Sequence, residues 1–173
     1  MAQFQTRTAD GVALVTFDSG AMNTFSRAAV EELEAVEAEI RAQHARAPLV
    51  GVVLLGNRYG LGAGANIGEL MQGSAADLAA LIERGDALLA RIEGGPVPWV
   101  AAFDGVCLGG IYELALACRA IVATRRSSVG FPEMLLNIFP GLGGTQRLPH
   151  RTGLVNASDP IGGDAALSVI LQG

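Results

Sequence analysis

Residues 105–113 read Gly105-Val106-Cys107-Leu108-Gly109-Gly110-Ile111-Tyr112-Glu113, directly after the apolar run Val97-Pro98-Trp99-Val100-Ala101-Ala102-Phe103 and Asp104. The run is short, continuously apolar and bounded by Gly94-Gly95-Pro96 before it and an Asp104-Gly105 turn after it. Such a segment reads as a buried strand over residues 97–103. Leu108-Gly109-Gly110 then leads into an apolar helix over residues 111–118. A strand, a junction of small residues and a helix in that order is the unit of an α/β fold.

The same order recurs on the N-terminal side. Residues 49–55 form another short apolar run rich in valine, expected as a buried parallel strand. A glycine-rich loop follows over residues 56–68. An amphipathic helix over residues 76–92 then carries Leu78, Leu81, Ile82, Leu88, Leu89 and Ile92 at helical spacing. Further out, residues 3–18 predict a hairpin about Asp10-Gly11. Ser26 is placed to cap a helix running to residue 43, with Ala29, Leu33, Val36 and Ile40 as its apolar stripe. Glu31, Glu32, Glu34, Glu37 and Glu39 read as the solvated side of that helix. Towards the C-terminus, residues 120–124 and 128–130 are expected as short strands and residues 132–145 as a loop marked by glycine and proline. No internal repeat or low-complexity segment interrupts the pattern. Residues 1–173 read as one α/β domain with right-handed crossovers.

Composition narrows the classes of function. Half of the residues are hydrophobic and 17% are charged, a balance suited to a packed domain. The formal net charge of −5 argues against a broad nucleic-acid surface. Cys107 and Cys118 are too few for a disulfide framework and lie in apolar runs, where buried free thiols are expected. No metal-ligand spacing is found. The N-terminus lacks the pattern of a signal peptide, and every apolar stretch is too short for a membrane span, so a cytoplasmic, membrane-free location is expected. His44 and His150 read as surface residues, and Trp99, Phe103, Met134 and Phe139 as core.

Two strand-to-helix junctions carry candidate chemistry, Gly64-Ala65-Asn66 and Leu108-Gly109-Gly110. Backbone N–H groups at such junctions have no helical partner, and small residues let an acyl group approach them. Two junctions converging on one oxygen would make an oxyanion hole. Tight packing of strand on helix is the simpler account of the same glycines. Glu113 stands inside an apolar run, in the first turn of its predicted helix, and Glu133 follows Pro132. Carboxyls in apolar surroundings suit general acid–base work. Each has an ordinary reading beside it: complementarity to the helix N-terminus for Glu113, a loop acid for Glu133.

These segments resemble the crotonase (enoyl-CoA hydratase/isomerase) superfamily. The family's glycine-rich "AGAD" loop is matched by Gly64-Ala65-Asn66 and its "NGxxxGGGxE" by Asp104 to Glu113. Its "GxPExxLGxxPGxGGTQRLPR" is matched over residues 130–151. Met22-Asn23-Thr24-Phe25-Ser26 is similar to its "MNxxS" loop. The hydratase part of fatty-acid oxidation multifunctional proteins is especially similar. The resemblance implies a spiral of ββα units, an acyl-coenzyme A thioester as substrate and no cofactor or metal. It implies that the Ala65 and Gly110 amides, at the Gly64 and Gly109 junctions, hold the thioester oxygen. It implies that Glu113 and Glu133 add water across a trans-2 double bond. It also implies a homo-oligomer, trimer or hexamer, or a place in a larger multifunctional chain. Family domains continue through helices beyond the length of this chain, so a domain incomplete at its C-terminus is expected. Four departures stand out: Ile111 and Tyr112, expected to narrow the acyl pocket, Asn66 in place of aspartate, and a long link over residues 154–163.

Three other readings are weighed. A Δ3-Δ2 enoyl-CoA isomerase needs the same oxyanion hole but one essential acid/base, so two glutamates favour the hydratase. Gly60, Gly62 and Ala65 fit a dinucleotide-binding G-x-G-x-x-A, but no acidic strand end follows at the required spacing. The third is a non-catalytic acyl-CoA-binding protein.

Overall fold

A computed structural model describes residues 2–152, the side chain of Met134 excepted. The chain begins with the expected hairpin, β1 (Phe4–Ala9) antiparallel to β2 (Val12–Phe17). Asp10 and Gly11 both take positive φ, 51° and 76°, as a two-residue turn matched to strand twist requires. After β3 (Thr24–Phe25) comes α1 (Arg27–Arg46), started by the Ser26 side chain accepting from the Ala29 amide and three residues longer than expected. Then follow β4 (Gly51–Leu55), β5 (Gly60–Gly62), β6 (Gly64–Ala65), α2 (Ile67–Gln72) and α3 (Ala75–Gly94). The next turn of chain is β7 (Trp99–Phe103), β8 (Val106–Leu108) and α4 (Gly109–Ala117). The last described elements are β9 (Ala120–Ala123), β10 (Ser128–Gly130), a 3-10 turn (Pro132–Leu136) and α5 (Gly144–Thr152).

The topology is a spiral. The larger sheet has the order β1-β2-β4-β7-β9, parallel from β2 onward. A second sheet has the order β10-β8-β5, also parallel. Each circuit therefore lays one strand in the large sheet (β4, β7, β9), the next in the small sheet (β5, β8, β10), and then a helical segment. Residues 56–68 and 132–145, expected as loops, hold β5, β6 and the start of α2 in the first case and the 3-10 turn and the start of α5 in the second. Strands of two or three residues built on glycine carry no side-chain alternation, so they are defined by backbone pairing alone.

The core lies between the sheets and helices, and α4 is buried along its whole length. Ile111 and Tyr112 point into this core, the Tyr112 ring 5.1 Å from that of Phe131, and neither narrows a pocket as expected. Trp99 and Phe103 are core residues, but Phe139 is 77% exposed because its segment lies on a cleft rim rather than under a sheet. Cys107 and Cys118 are buried free thiols, and burial pushes the Cys118 thiol up to about 12.

The glutamates of α1 are not simply its solvated side. Glu37 is 5% exposed and pairs with Arg91 and Arg41, while Glu34 pairs with Arg84 and Arg91. Glu32 accepts from the Gln3 and Phe4 amides. The reason is tertiary: α1 lies against α3 and the hairpin, so arginines and backbone donors meet the face a lone helix would show to water. Asn23, also buried, donates to Phe17 O and Leu61 O and accepts from Ser19 N, tying β2 to β5. The expected long link at residues 154–163 and the expected C-terminal incompleteness lie outside the described residues.

Candidate active site

The two small-residue junctions meet. A Cβ placed on Gly64 would lie 3.2 Å from Leu108 O and 3.4 Å from the Gly109 Cα. The backbones entering α2 and α4 thus touch because neither position carries a side chain. Gly64 and Gly109 also take φ of +97° and +55°, where other residues are strained. Leu108, the residue before α4, provides no side-chain cap, so the opening amides of that helix have no intrahelical acceptor.

Ala65, Gly110, Glu113 and Glu133 all line one cleft of about 800 Å³. Gly64 and Gly109, each one residue before a lining position, are buried and do not themselves line it. Apolar side chains, among them Phe25, Ile67, Leu70, Leu81, Ile82 and Leu142, form most of the remainder. The arrangement is an apolar trough with two carboxyls and two backbone junctions at one place, as small-molecule sites usually are.

Glu113 lies in the second turn of α4 rather than the first, because the helix starts at Gly109 and not at residue 111. It is 1% exposed. One oxygen, Oε1, accepts from the amides of Leu142 and Gly144, each at 2.7 Å. These donors come from the turn that leads into α5 and from its first residue, with Gly143 between them at φ +84°. Burial drives the Glu113 carboxyl above its ordinary range. The Gly144 and Leu142 amides oppose this, nearby Glu133 adds to it, and Arg147 opposes it again; the result is a raised pKa. Complementarity to the helix N-terminus is therefore not what holds this residue; two specific amides do.

Glu133 opens the 3-10 turn and is half-buried. A Cβ on Gly109 would stand 2.7 Å from its Oε1, so the carboxylate rests against the glycine junction. Its Oε2 is buried and has no hydrogen-bond partner. An orphaned buried oxygen is costly and calls for a functional account. Burial raises this carboxyl, opposed by the residue's own backbone amide.

The amides of Leu142 and Gly144, which sequence reasoning missed, were signalled only by the density of glycine in Gly141-Leu142-Gly143-Gly144. The dinucleotide reading fails structurally, since Gly60 and Gly62 lie within β5, paired with β8, instead of opening a helix. Asn66 caps α2 by accepting from the Glu69 amide. His44 accepts from the Leu49 amide, and neither histidine lines the cleft. Among the described residues no group of three or more His, Cys, Asp or Glu could hold a metal, and no helix is long and apolar enough to cross a membrane.

The enoyl-CoA hydratase/isomerase family model matches residues 7–160. The chain is 41% identical over 156 residues to the fatty acid oxidation complex subunit alpha of Shewanella amazonensis, covering 87% of this chain and 22% of that protein. It is 36% identical over 166 residues to a probable enoyl-CoA hydratase of Bacillus subtilis, covering 91% of this chain and 63% of that one. Among solved structures, an enoyl-CoA hydratase from Bacillus anthracis superposes with a TM-score of 0.88 at 29% identity, covering 98% of this chain and 68% of that one. The chain thus spans about a fifth to under two thirds of the length of these curated relatives.

Proposed function

Since the chain belongs to the enoyl-CoA hydratase/isomerase family and has the crotonase fold, we propose that it hydrates trans-2-enoyl-coenzyme A thioesters. The observation that carries this reading is that Glu113 and Glu133 face one apolar cleft beside Ala65 and Gly110.

The amides of Ala65 and Gly110 donate to the thioester oxygen and stabilise it as it becomes enolate-like. In such sites a single donor is typically worth roughly 10²–10³ in rate. Glu113 and Glu133 hold the water between them. Its hydroxyl goes to the β-carbon, and Glu133 passes a proton to the α-carbon, so the elements of water are added without redox change. Raised pKa values suit both roles, because they bring proton exchange nearer to neutral pH. The unpartnered Glu133 Oε2 is the atom left for water or substrate. An isomerase needs only one such acid, and the second carboxyl favours hydration. A coenzyme A thioester is the substrate, and the chemistry requires neither metal nor nicotinamide. We further propose assembly as a homo-oligomer or within a multifunctional chain, as the name of the fatty acid oxidation complex relative suggests.

The test is loss of enoyl thioester absorbance with crotonyl-CoA and longer chains, in the presence of EDTA. Hydration by the unmodified chain and its loss in Glu133→Gln are expected. Absence of hydration across short and medium acyl chains refutes the reading.

A further inference from the structure

The turn that holds Glu113 is itself held by a residue with no assigned role. Arg147, in α5, is only 12% exposed. Its Nη1 donates to Leu142 O, and its Nε lies 2.9 Å from Glu93 Oε2, with Asp86 Oδ1 at 3.8 Å from Nη1. Both acids belong to α3. A Cβ on Gly143 would come within 2.3 Å of the guanidinium, so glycine at that position lets the arginine close over the turn. Independently, α3 accommodates the Leu142 side chain at Gly85, where an added Cβ would meet Leu142 Cδ2 at 2.8 Å. Leu142 is therefore fixed from α3 twice, through its side chain and through its carbonyl. Its amide is one of the two donors to Glu113.

We propose that Arg147 is a positioning residue for Glu113, clamping the 142–144 turn to α3 so that the Leu142 and Gly144 amides stay aimed at the Glu113 carboxylate. Loss of the fork frees the Leu142 carbonyl, lets the turn drift and weakens both donors. The charged groups facing Glu113 are Glu133 from the 3-10 turn and Arg147 from α5, and those facing Arg147 are Asp86 and Glu93 from α3. Removing Arg147 thus removes a cation and loosens two donors, all of which favour ionised Glu113. Both effects move Glu113 the same way, towards a higher midpoint.

The kinetic part of the test rests on the hydratase reading, and the titration does not. With ¹³C-labelled glutamate in the 173-residue chain, the Glu113 carboxyl resonance is assigned by its disappearance in Glu113→Gln and followed against pH. Arg147→Gln is expected to move the midpoint up by about 1 pH unit, and Arg147→Lys, which keeps charge without the fork, by less. For hydration, kcat falls at least about 10-fold with little change in KM, and the acid limb of its pH profile shifts with the midpoint. A chain that hydrates nothing leaves the titration decisive for Arg147. If Arg147→Gln does not fold, Arg147→Lys takes its place, and its smaller upward shift of the Glu113 midpoint is the expected result. An unchanged Glu113 midpoint in a folded variant, including one that merely melts earlier, overturns the proposal.

Discussion

Replacing Gly109 by alanine puts a number on the contact between the two junctions. The added Cβ meets Glu133 Oε1 at 2.7 Å, against 3.4 Å for ordinary contact. Restoring that separation displaces the carboxylate by about 0.7 Å, on a scale where 1 Å of misplacement can cost roughly 10²-fold in rate. The Gly109 φ of +55° adds left-handed strain of about 1–2 kcal/mol for a residue with a Cβ. For a domain of this size that corresponds to a melting temperature lower by about 2–8 °C. Gly110→Ala is the control: its Cβ would make ordinary 3.6 Å contacts with Leu142 and Phe25, and its φ is not left-handed. The assay pairs initial rates of crotonyl-CoA hydration with thermal melting for both variants. Gly109→Ala should lose between about 10- and 100-fold in kcat and melt earlier, whereas Gly110→Ala should melt close to the unmodified chain. A Gly109→Ala protein with unaltered turnover and melting refutes the reasoning.

Glu113→Gln and Glu133→Gln should each lower kcat by about 10²–10⁴ while acyl-CoA affinity is nearly retained, as read by steady-state kinetics and calorimetry; unimpaired turnover in either removes it from the acid–base pair. Glu113→Ala should also destabilise the fold, by about 1–3 kcal/mol for each buried amide it orphans at Leu142 and Gly144, while Glu113→Gln, which keeps an acceptor, should not. Both glutamates have folded pKa values raised above the ordinary 4.5, so their contribution to stability is full below that pH and is lost as pH rises through the folded values. Urea denaturation of the unmodified chain should show this decline, and the Glu113→Gln, Glu133→Gln double variant should be flatter over the same window. EDTA should leave the hydration rate unchanged, and a loss restored by a divalent cation would contradict the metal-free reading.

How much was legible follows from where the signals sit. The Val52–Leu55 and Trp99–Phe103 stretches were readable as buried strands because both faces are apolar, and the Asp10-Gly11 hairpin because its turn demands positive φ. Glu113 and Glu133 were recognised as candidates because carboxyls stand out in apolar surroundings, and the structure brings both to one cleft with Ala65 and Gly110. Of the small sheet, Ser128–Gly130 was legible as a short strand, but Gly60–Gly62 and Val106–Leu108 were not, since they exist as strands only through their pairing across the sheet. Nor could residue spacing foresee that Glu37 would be enclosed by Arg91 from a helix some fifty residues away, or that Glu113 would be held by amides of residues 142 and 144. These are contacts across the spiral, and local pattern contains no record of them. Phe139 failed in the opposite direction: an aromatic side chain suggests core, but here it stands exposed on a cleft rim.

The complete burial of α4 has a consequence for biosynthesis. A helix apolar on every side cannot be sheltered by what precedes it alone. Part of its cover arrives later: Phe131 packs on Tyr112, Leu148 joins the core, and Arg151 donates to the carbonyls of Leu116 and Cys118 at the helix end. About 35 residues separate the end of α4 from the end of α5, so a ribosome adding 5–20 residues per second leaves that helix partly uncovered for about 2–7 seconds. During that interval the nascent chain presents a sticky segment with Glu113 as its only charge. Chaperone engagement, and losses to aggregation when synthesis stalls, are thus expected to concentrate on chains halted between β9 and α5.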